Sequence, residues 1–388
     1  MSETNSNLNA LIVGGGPVGW LSALALAKKG TVSTLVARDE PLQDLRTVAL
    51  MQGSLAFLDE LGLDPQSIDD ATALETMRLI DGTKRLIRAP EVNFVASEIG
   101  HPYFALNIPV SGLVKRIQEK LATFSNFTYI SGAVDHVSFD NGVKLTLANS
   151  RVLTADFVVG ADGRNSKIRD CANISSKKWT YPQTAFITQF QHNKPHNNIS
   201  TEFHTETGPF TLVPLSGQRS SVVCVVKPDE AENLMQMCDS ELTLEMEKRS
   251  RFLLGKLSDF SQRQIFPMSS QISKKMASGR VFLVGESGHA FPPIGAQGLN
   301  LGIRDVQELG RRIQNTSQSH IEKIADAYNK ARRLDVTTRT MGVDALNRSL
   351  LTDFLPVQSL RCLGLFATKN IAPVRKAMMR EGLGAYSS

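Results

Sequence analysis

The chain has 388 residues, 41% hydrophobic and 21% charged, with a formal net charge of +5 and a pI near 9.0. That length exceeds one simple core and predicts two domains or one large composite. The mild basicity favours anionic ligands or surfaces, but no Lys/Arg run interleaved with aromatics occurs, which argues against a nucleic-acid-binding face.

Cysteines 171, 224, 238 and 362 match no zinc or CxxC spacing and are expected as free thiols in a reducing compartment. The opening MSETNSNL lacks the apolar stretch of a secretory signal. No apolar run approaches the ~18–20 residues that span a bilayer. A cytoplasmic protein is expected, attached at most to the surface of the inner membrane.

In chain order, the apolar run Ala10–Val13 reads as a strand, GGGPVG follows at 14–19, and WLSALALAKKG has helical periodicity up to Gly30. Val32–Val36 is a second strand, completing a parallel βαβ unit. SLAFLDELG at 54–62 is an amphipathic helix, and RLIDGTKRLIR at 78–88 reads as a hairpin turning on Asp81-Gly82. A helix at about 111–124 puts Leu113, Ile117 and Leu121 on one face. Strands are expected at 127–131, 134–138 and 143–147, the last two joined by an Asn141-Gly142 turn.

From 183 to 226, FITQFQ, TEFHT, PFTLVPL and SSVVCVV alternate apolar and polar residues, which predicts an antiparallel sheet with one solvated face. A helix follows at roughly 240–256, and the α/β frame resumes at 279–314. Residues 320–349 read as a polar helix, and 350–388 as helical pieces that are unusually apolar.

Three runs carry chemistry. GGGPVG is a GxGxxG at Gly14, Gly16 and Gly19, between a strand and a helix as the motif requires. Gly14 allows a tight turn, Gly16 lets a pyrophosphate approach the backbone, and Gly19 lets helix pack on strand. The helix N-terminus then faces the phosphates with its partial positive charge. The acid that usually ends the second strand and bonds a ribose falls on Ala37, followed by Arg38, Asp39 and Glu40. Either Asp39 or Glu40 reaches back, or the ribose is held less directly; Arg38 marks a 2′-phosphate or is a solvated loop charge.

The second run, ADFVVGADGRNSKIRD at 155–170, reads as a buried strand, a turn and a short helix beginning near Ser166 and Arg169. Asp162 makes sense there if it orders the loop's own amides and a ribose or polyol hydroxyl. The third, GESGHAFPPIGAQGLNLGIRD at 285–305, follows the apolar Val281–Val284. Glu286 can accept from polyol hydroxyls, Gly295, Gly298 and Gly302 let the chain lie flat against a planar ring, and Pro292 and Pro293 stiffen the loop. A helix from Leu299 points its amides back at that ring, where they can stabilise negative charge. His289 either touches the bound group or packs.

In order and spacing these three runs resemble the FAD-dependent aromatic hydroxylases with a p-hydroxybenzoate-hydroxylase-like fold. RTVALMQGSLAFLDELGL at 46–63 and the late run look most like the bacterial ubiquinone-biosynthesis hydroxylases, which act on polyprenylated phenols. The resemblance implies an α/β fold. A Rossmann-like FAD-binding domain (1–75, 105–180 and 275–335) would carry an inserted α+β substrate domain with an antiparallel sheet (76–104 and 181–274). C-terminal helices would occupy 336–388.

It also implies that Gly14, Gly16 and Gly19 hold the FAD pyrophosphate and that Arg46 lies over the phosphates or ring edge. Asp162 and Gly163 would border the same groove, Glu286 would bond the ribityl chain, and Pro293, Gly295 and Gly298 would flank the isoalloxazine. Glu286 stands where the family usually has Asp, and Ala37 where it usually has an acid. The implied reaction delivers oxygen from a hydroperoxide of the reduced ring to an aromatic carbon. O2 would be co-substrate, with NAD(P)H or a partner reductase as donor. No catalytic side chain is named beyond His289 as a candidate. The apolar and basic tail reads as a membrane-surface segment or as helices packed on their own domain. A reductase or soluble-phenol hydroxylase on the same frame, and a non-catalytic flavin-binding member of a biosynthetic complex, are the rival readings.

Overall fold

The computed structural model describes residues 8–39, 46–85, 88–140, 142–292, 297–314, 320–352 and 355–383. Strand β1 (Asn9–Val13) passes through the glycine turn into helix α1 (Pro17–Lys28), which returns to β2 (Val32–Ala37). A small antiparallel sheet of Thr47–Met51, Ala105–Pro109 and Thr72–Leu74 follows, with α2 (Gln52–Glu60) leaving its first strand. Between its strands the chain forms β3 (Thr76–Asp81).

Helix α3 (Val110–Leu121) leads to β4 (Phe127–Ser131), and a three-stranded meander leads to β5 (Phe157–Gly160) and α4 (Lys167–Cys171). Four long strands come next: β6 (Ser176–His192), β7 (Ile199–His204), β8 (Pro209–Leu215) and β9 (Arg219–Val226). Then follow α5 (Pro228–Gln236), α6 (Asp239–Arg249), β10 (Gln264–Ser273) and β11 (Val281–Leu283). The chain ends in α7 (Gln297–Ile313), α8 (Ile321–Leu351), α9 (Leu355–Asn370) and α10 (Ala372–Leu383).

Two large sheets dominate. In the first, β11, β5, β1, β2 and β4 lie side by side, all parallel, with Ala277–Ser278 antiparallel at one edge. Strands β1 and β5 read as unbroken apolar runs because both their faces are covered. Ile12, Leu35, Phe157 and Phe282 pack with α1 on one face, while Leu11, Val36 and Val158 pack with the meander on the other.

The second sheet runs His289–Ala290, β10, β6, β9, β8, β7, β3, Val92–Val95. Contrary to expectation, neither of its faces is left to solvent. Phe186, Phe203 and Phe210 pack with α5 and α6 on one side. On the other, Tyr181, Ala185 and Val225 meet Val343 of α8, and Val213 meets Leu365 and Met379 of the last two helices. The polar residues in the alternation are buried against a polar helix: Asn347 Nδ2 donates to Gln183 Oε1 at 2.9 Å, and Tyr181 Oη to Asp344 at 2.7 Å.

The hairpin on Asp81-Gly82 is also corrected. β3 pairs with Val92–Val95, in the register Thr76 to Val95 and Leu79 to Val92, so the reversal is a longer loop. Gly82 does not take the positive φ that a tight two-residue turn demands. Asp81 instead accepts from Thr83 N and Ala89 N, at 3.0 and 2.8 Å, and anchors the loop. The helix expected at 240–256 stops at Arg249, where Arg251 and Phe252 turn left-handed at φ 52° and 55°.

Candidate functional site

The three motif turns leave the carboxyl ends of three adjacent parallel strands, β1, β5 and β11. Their last residues are in register: Val13 lies opposite Gly160, and Gly160 opposite Leu283. Strand order reverses at β1, with β2 on one side and β5 on the other. Ligands of open α/β sheets bind in the crevice outside such a reversal.

The glycines of the first turn divide by cause. Gly14 has φ +125°, and a Cβ there would sit 2.2 Å from the Ala161 carbonyl oxygen. One on Gly19 would sit 1.9 Å from the Gly14 oxygen. Both are required by the packing of β1, α1 and the second turn. Gly16 is different: its φ is −74°, it caps α1 ahead of Pro17, and a Cβ there would meet nothing within 4 Å. The fold does not require that glycine, whereas a ligand lying on the turn would.

In the second turn, Asp162 Oδ2 accepts from Ile168 N at 3.1 Å and so caps α4, together with Ser166 Oγ on Arg169 N at 3.0 Å. Asp162 Oδ1 is buried without a partner. Burial raises the Asp162 pKa above the usual carboxylate range despite these hydrogen bonds. Gly163, at φ +78°, also borders open space. Buried Arg169 donates from Nη1 to the Arg164 and Ser287 carbonyls, at 3.0 and 3.1 Å, tying the second turn to the third.

The third turn opens at Gly285, φ +59°. Val18 of the first motif seats against Gly285 and Gly302, where added Cβ atoms would lie 3.1 and 2.8 Å from it. Glu286 is half exposed and pairs with Arg164 at 3.4 Å, while Arg164 also donates to Ser269 Oγ at 2.9 Å and the Phe291 carbonyl at 3.3 Å. His289 is 1% exposed. Its Nε2 lies 2.6 Å from Asp305 Oδ2 and its ring stacks on Phe291, while its buried Nδ1 has no hydrogen-bond partner. Gly298 stands in the first turn of α7 and borders open space. Pro293 and Gly295 lie outside the described residues.

Arg46 is exposed at the mouth of strand Thr47–Met51, its carbonyl accepting from Val110 N at 3.1 Å. That strand is held to α7 by Asn300, whose Nδ2 donates to the Ala49 carbonyl at 2.8 Å and whose Oδ1 accepts from Met51 N at 2.9 Å. Ala37 faces the glycine turn: a Cβ on Gly15 would lie 2.9 Å from its own. Asp39 turns away to β4, accepting from Tyr129 Oη at 2.7 Å. Burial and this carboxylate push the Tyr129 pKa up to about 12. Glu40 lies outside the described residues.

Asn300, Arg164, Val18 and Asp305 are the residues that motif reading does not single out. Their only sequence signal is that they fall inside or beside the glycine runs.

Open space over Gly16, Gly163 and Gly298, an unpartnered buried carboxylate oxygen on Asp162, and the N-termini of α1 and α7 at one sheet edge fit an extended dinucleotide. A family model described as FAD binding domain matches residues 7–342. The chain belongs to the FAD-dependent aromatic hydroxylase family. It is 29% identical over 388 residues to a ubiquinone hydroxylase, UbiL, of Rhodospirillum rubrum, covering 97% of this chain and 89% of that one. It is 27% identical to the 3-demethoxyubiquinol 3-hydroxylase of Escherichia coli, covering 98% of this chain and all of that one. The p-nitrophenol 4-monooxygenase PnpA of Pseudomonas putida superposes with a TM-score of 0.79 at 20% identity, over 98% of this chain and 99% of that one. PqsL of Pseudomonas aeruginosa gives 0.78 at 19% identity, over 93% of this chain and 100% of that one.

Proposed function

We propose that this flavoprotein is a monooxygenase that hydroxylates the aromatic ring of a polyprenylated phenol in ubiquinone biosynthesis. The observation that carries the flavin chemistry is the alignment of three motif turns at the ends of β1, β5 and β11. Similarity to ubiquinone hydroxylases along almost the whole chain supports the substrate class.

Gly14, Gly16 and Gly19 with the α1 N-terminus cradle the pyrophosphate, and Arg46 neutralises charge beside it. Asp162 Oδ1 and Glu286 accept from ribose or ribityl hydroxyls; Gly163 borders the same groove, and Gly298 leaves room for the ring system that Pro293 and Gly295 would also flank. Bound FAD supplies oxygen activation, with NAD(P)H or a partner reductase as donor and O2 as co-substrate. The protein orients the aromatic ring and excludes water. The second sheet would roof the substrate pocket; it is joined to the small sheet by Asn107, whose Nδ2 donates to the Pro214 carbonyl at 2.9 Å. This assigns 1–75, 105–180 and 275–335 to FAD, and 76–104 and 181–274 to the substrate.

The test uses purified enzyme, NAD(P)H with an added reductase, and a short-chain prenylphenol under 18O2. One labelled oxygen on the ring is the expected product. Unlabelled or reduced product refutes the monooxygenase assignment. A labelled soluble phenol with the prenylphenol left unreacted refutes the substrate class.

The tail supports contact with an anionic membrane surface. Leu360, Leu363 and Phe366 of α9, Ile371 between the helices, and Val374 and Met378 of α10 are 38–69% exposed. No Asp or Glu occurs from 355 to 380, whereas Lys369, Lys376 and Arg380 do. Apolar side chains beside uncompensated cations suit a lipid surface. No helix among the described residues is long and apolar enough to cross a membrane. The full chain should float with phosphatidylglycerol vesicles and release at high salt. A variant with Leu360, Phe366 and Met378 changed to Ser should not float; equal flotation of the two, or none by either, removes the claim.

A further inference from the structure

The third turn is held from behind by a buried cluster that the proposed chemistry does not use. Asp305, fully buried on α7, accepts from Gly285 N at 2.9 Å, from His289 Nε2 at 2.6 Å and from Arg332 Nε at 2.7 Å. Burial opposes its ionisation, but His289, Arg332 and the Gly285 amide more than offset that and hold it below the usual carboxylate range. Arg332 is itself braced by Asp335, at 2.8 Å.

One helical turn earlier on α8, fully buried Tyr328 donates from Oη to the Leu283 carbonyl at 2.9 Å. Residues four apart on a helix share a face. Tyr328 and Arg332 therefore grip the chain on both sides of Val284: the carbonyl before it directly, and the amide after it through Asp305. A carboxylate taken out of water is costly unless every partner is in place, so its geometry is fixed rather than adaptable. What it fixes is the left-handed Gly285, hence the direction in which Glu286 leaves the strand.

We propose that Tyr328, Arg332 and Asp305 are positioning residues for the cofactor groove, setting the third turn so that Glu286 meets the ribityl chain. The inference rests on the flavoprotein reading. Its distinguishing feature is that the element in control is α8, which contributes none of the three motifs.

The test compares Tyr328→Phe, Arg332→Met, Arg332→Lys and Asp305→Asn with wild type as full-length proteins. Three quantities are measured: apoprotein melting by circular dichroism, the FAD dissociation constant, and the visible circular dichroism of bound flavin. Asp305→Asn and Arg332→Met should weaken FAD binding about tenfold or more at temperatures where they are folded, the expected effect of losing a hydrogen bond to a charged group. Arg332→Lys should recover part of that loss, and the bound-flavin spectrum should change. Tyr328→Phe keeps its ring packing on Phe282. It should fold and show a smaller change in the same direction, which keeps the test open if the charge variants fail to fold. Lower melting temperatures with unchanged FAD affinity and spectrum would overturn the inference and leave a structural role only. A wild type that binds no FAD would instead defeat the flavoprotein reading.

Discussion

A side chain at Gly16 would project into space that the folded chain leaves open, and this separates folding from binding at one residue. Gly16→Val should leave apoprotein stability within about 0.5 kcal/mol, because neither φ nor packing resists the change. It should abolish FAD retention by filling the path of the pyrophosphate. Melting of the apoprotein and absorbance after incubation with FAD check both halves; a stable yellow variant removes the assignment. Gly19→Ala should behave oppositely at first step, destabilising the fold by about 1–3 kcal/mol, since its Cβ would lie 1.9 Å from the Gly14 oxygen. The packing jobs of Gly14 and Gly19 were legible because GxGxxG between strand and helix has one geometry. Arg164 and Asp305 were not. Arg164 acquires meaning from Glu286, 122 residues away, and Asp305 from Arg332 on another helix. Ala37 stayed ambiguous for the same reason, since Asp39 is committed to Tyr129 only in the folded chain.

Elements were legible where periodicity decided them and obscure where side chains overrode it. α1, α3 and the strands at 127–131 and 134–138 fall where their patterns place them. α5 is not among the expected helices, although Pro228 at its first position and Asp229 and Glu230 in its first turn form a start signal. The Asp81-Gly82 pair misleads because Asp81 has a tertiary task. Its side chain is 1% exposed and bonds Arg361 of α9 at 3.0 Å, latching the C-terminal helices to the second sheet. Burial opposes ionisation of Asp81, yet Thr83, the Ala89 amide and Arg361 hold its pKa below the usual carboxylate value. A depressed carboxylate pKa stabilises the fold fully above the unfolded value, about pH 4, and that stability is lost as pH falls through the folded value. Arg361→Leu should therefore cost about 3 kcal/mol at pH 7, by leaving a buried charge unpaired. The gap from wild type should narrow as the pH drops below about 4 and Asp81 takes up a proton. Denaturant melts across pH 7 to 3 measure this; a gap independent of pH would show that lost packing, not charge, sets the cost.

At the scale of the molecule, the family resemblance already implied that the three runs share one groove, and the fold supplies the reason: parallel strands send all their βα turns to one sheet edge. What covers the second sheet could not be read in the same way. Strand alternation says which residues share a face but not whether water or a polar helix lies against it, and here α8 does. The resulting groove joins residues near 14, 162 and 286, and only the native state brings them within one ligand's reach. A ligand that binds only this state adds stability as RT ln(1 + [L]/Kd), about 2.7 kcal/mol at a hundredfold excess over Kd. FAD should thus raise the melting temperature by a few degrees. FMN and AMP together, at the same concentrations, supply the same chemical groups without the covalent link. Each must then lose its own translational freedom on binding, so the pair should shift the melt much less. Equal shifts would mean that the two ends of the groove act independently. No shift with FAD would mean that the turns, though adjacent, do not grip it. The Gly16→Val protein supplies the control, because it should melt like wild type alone and ignore added FAD.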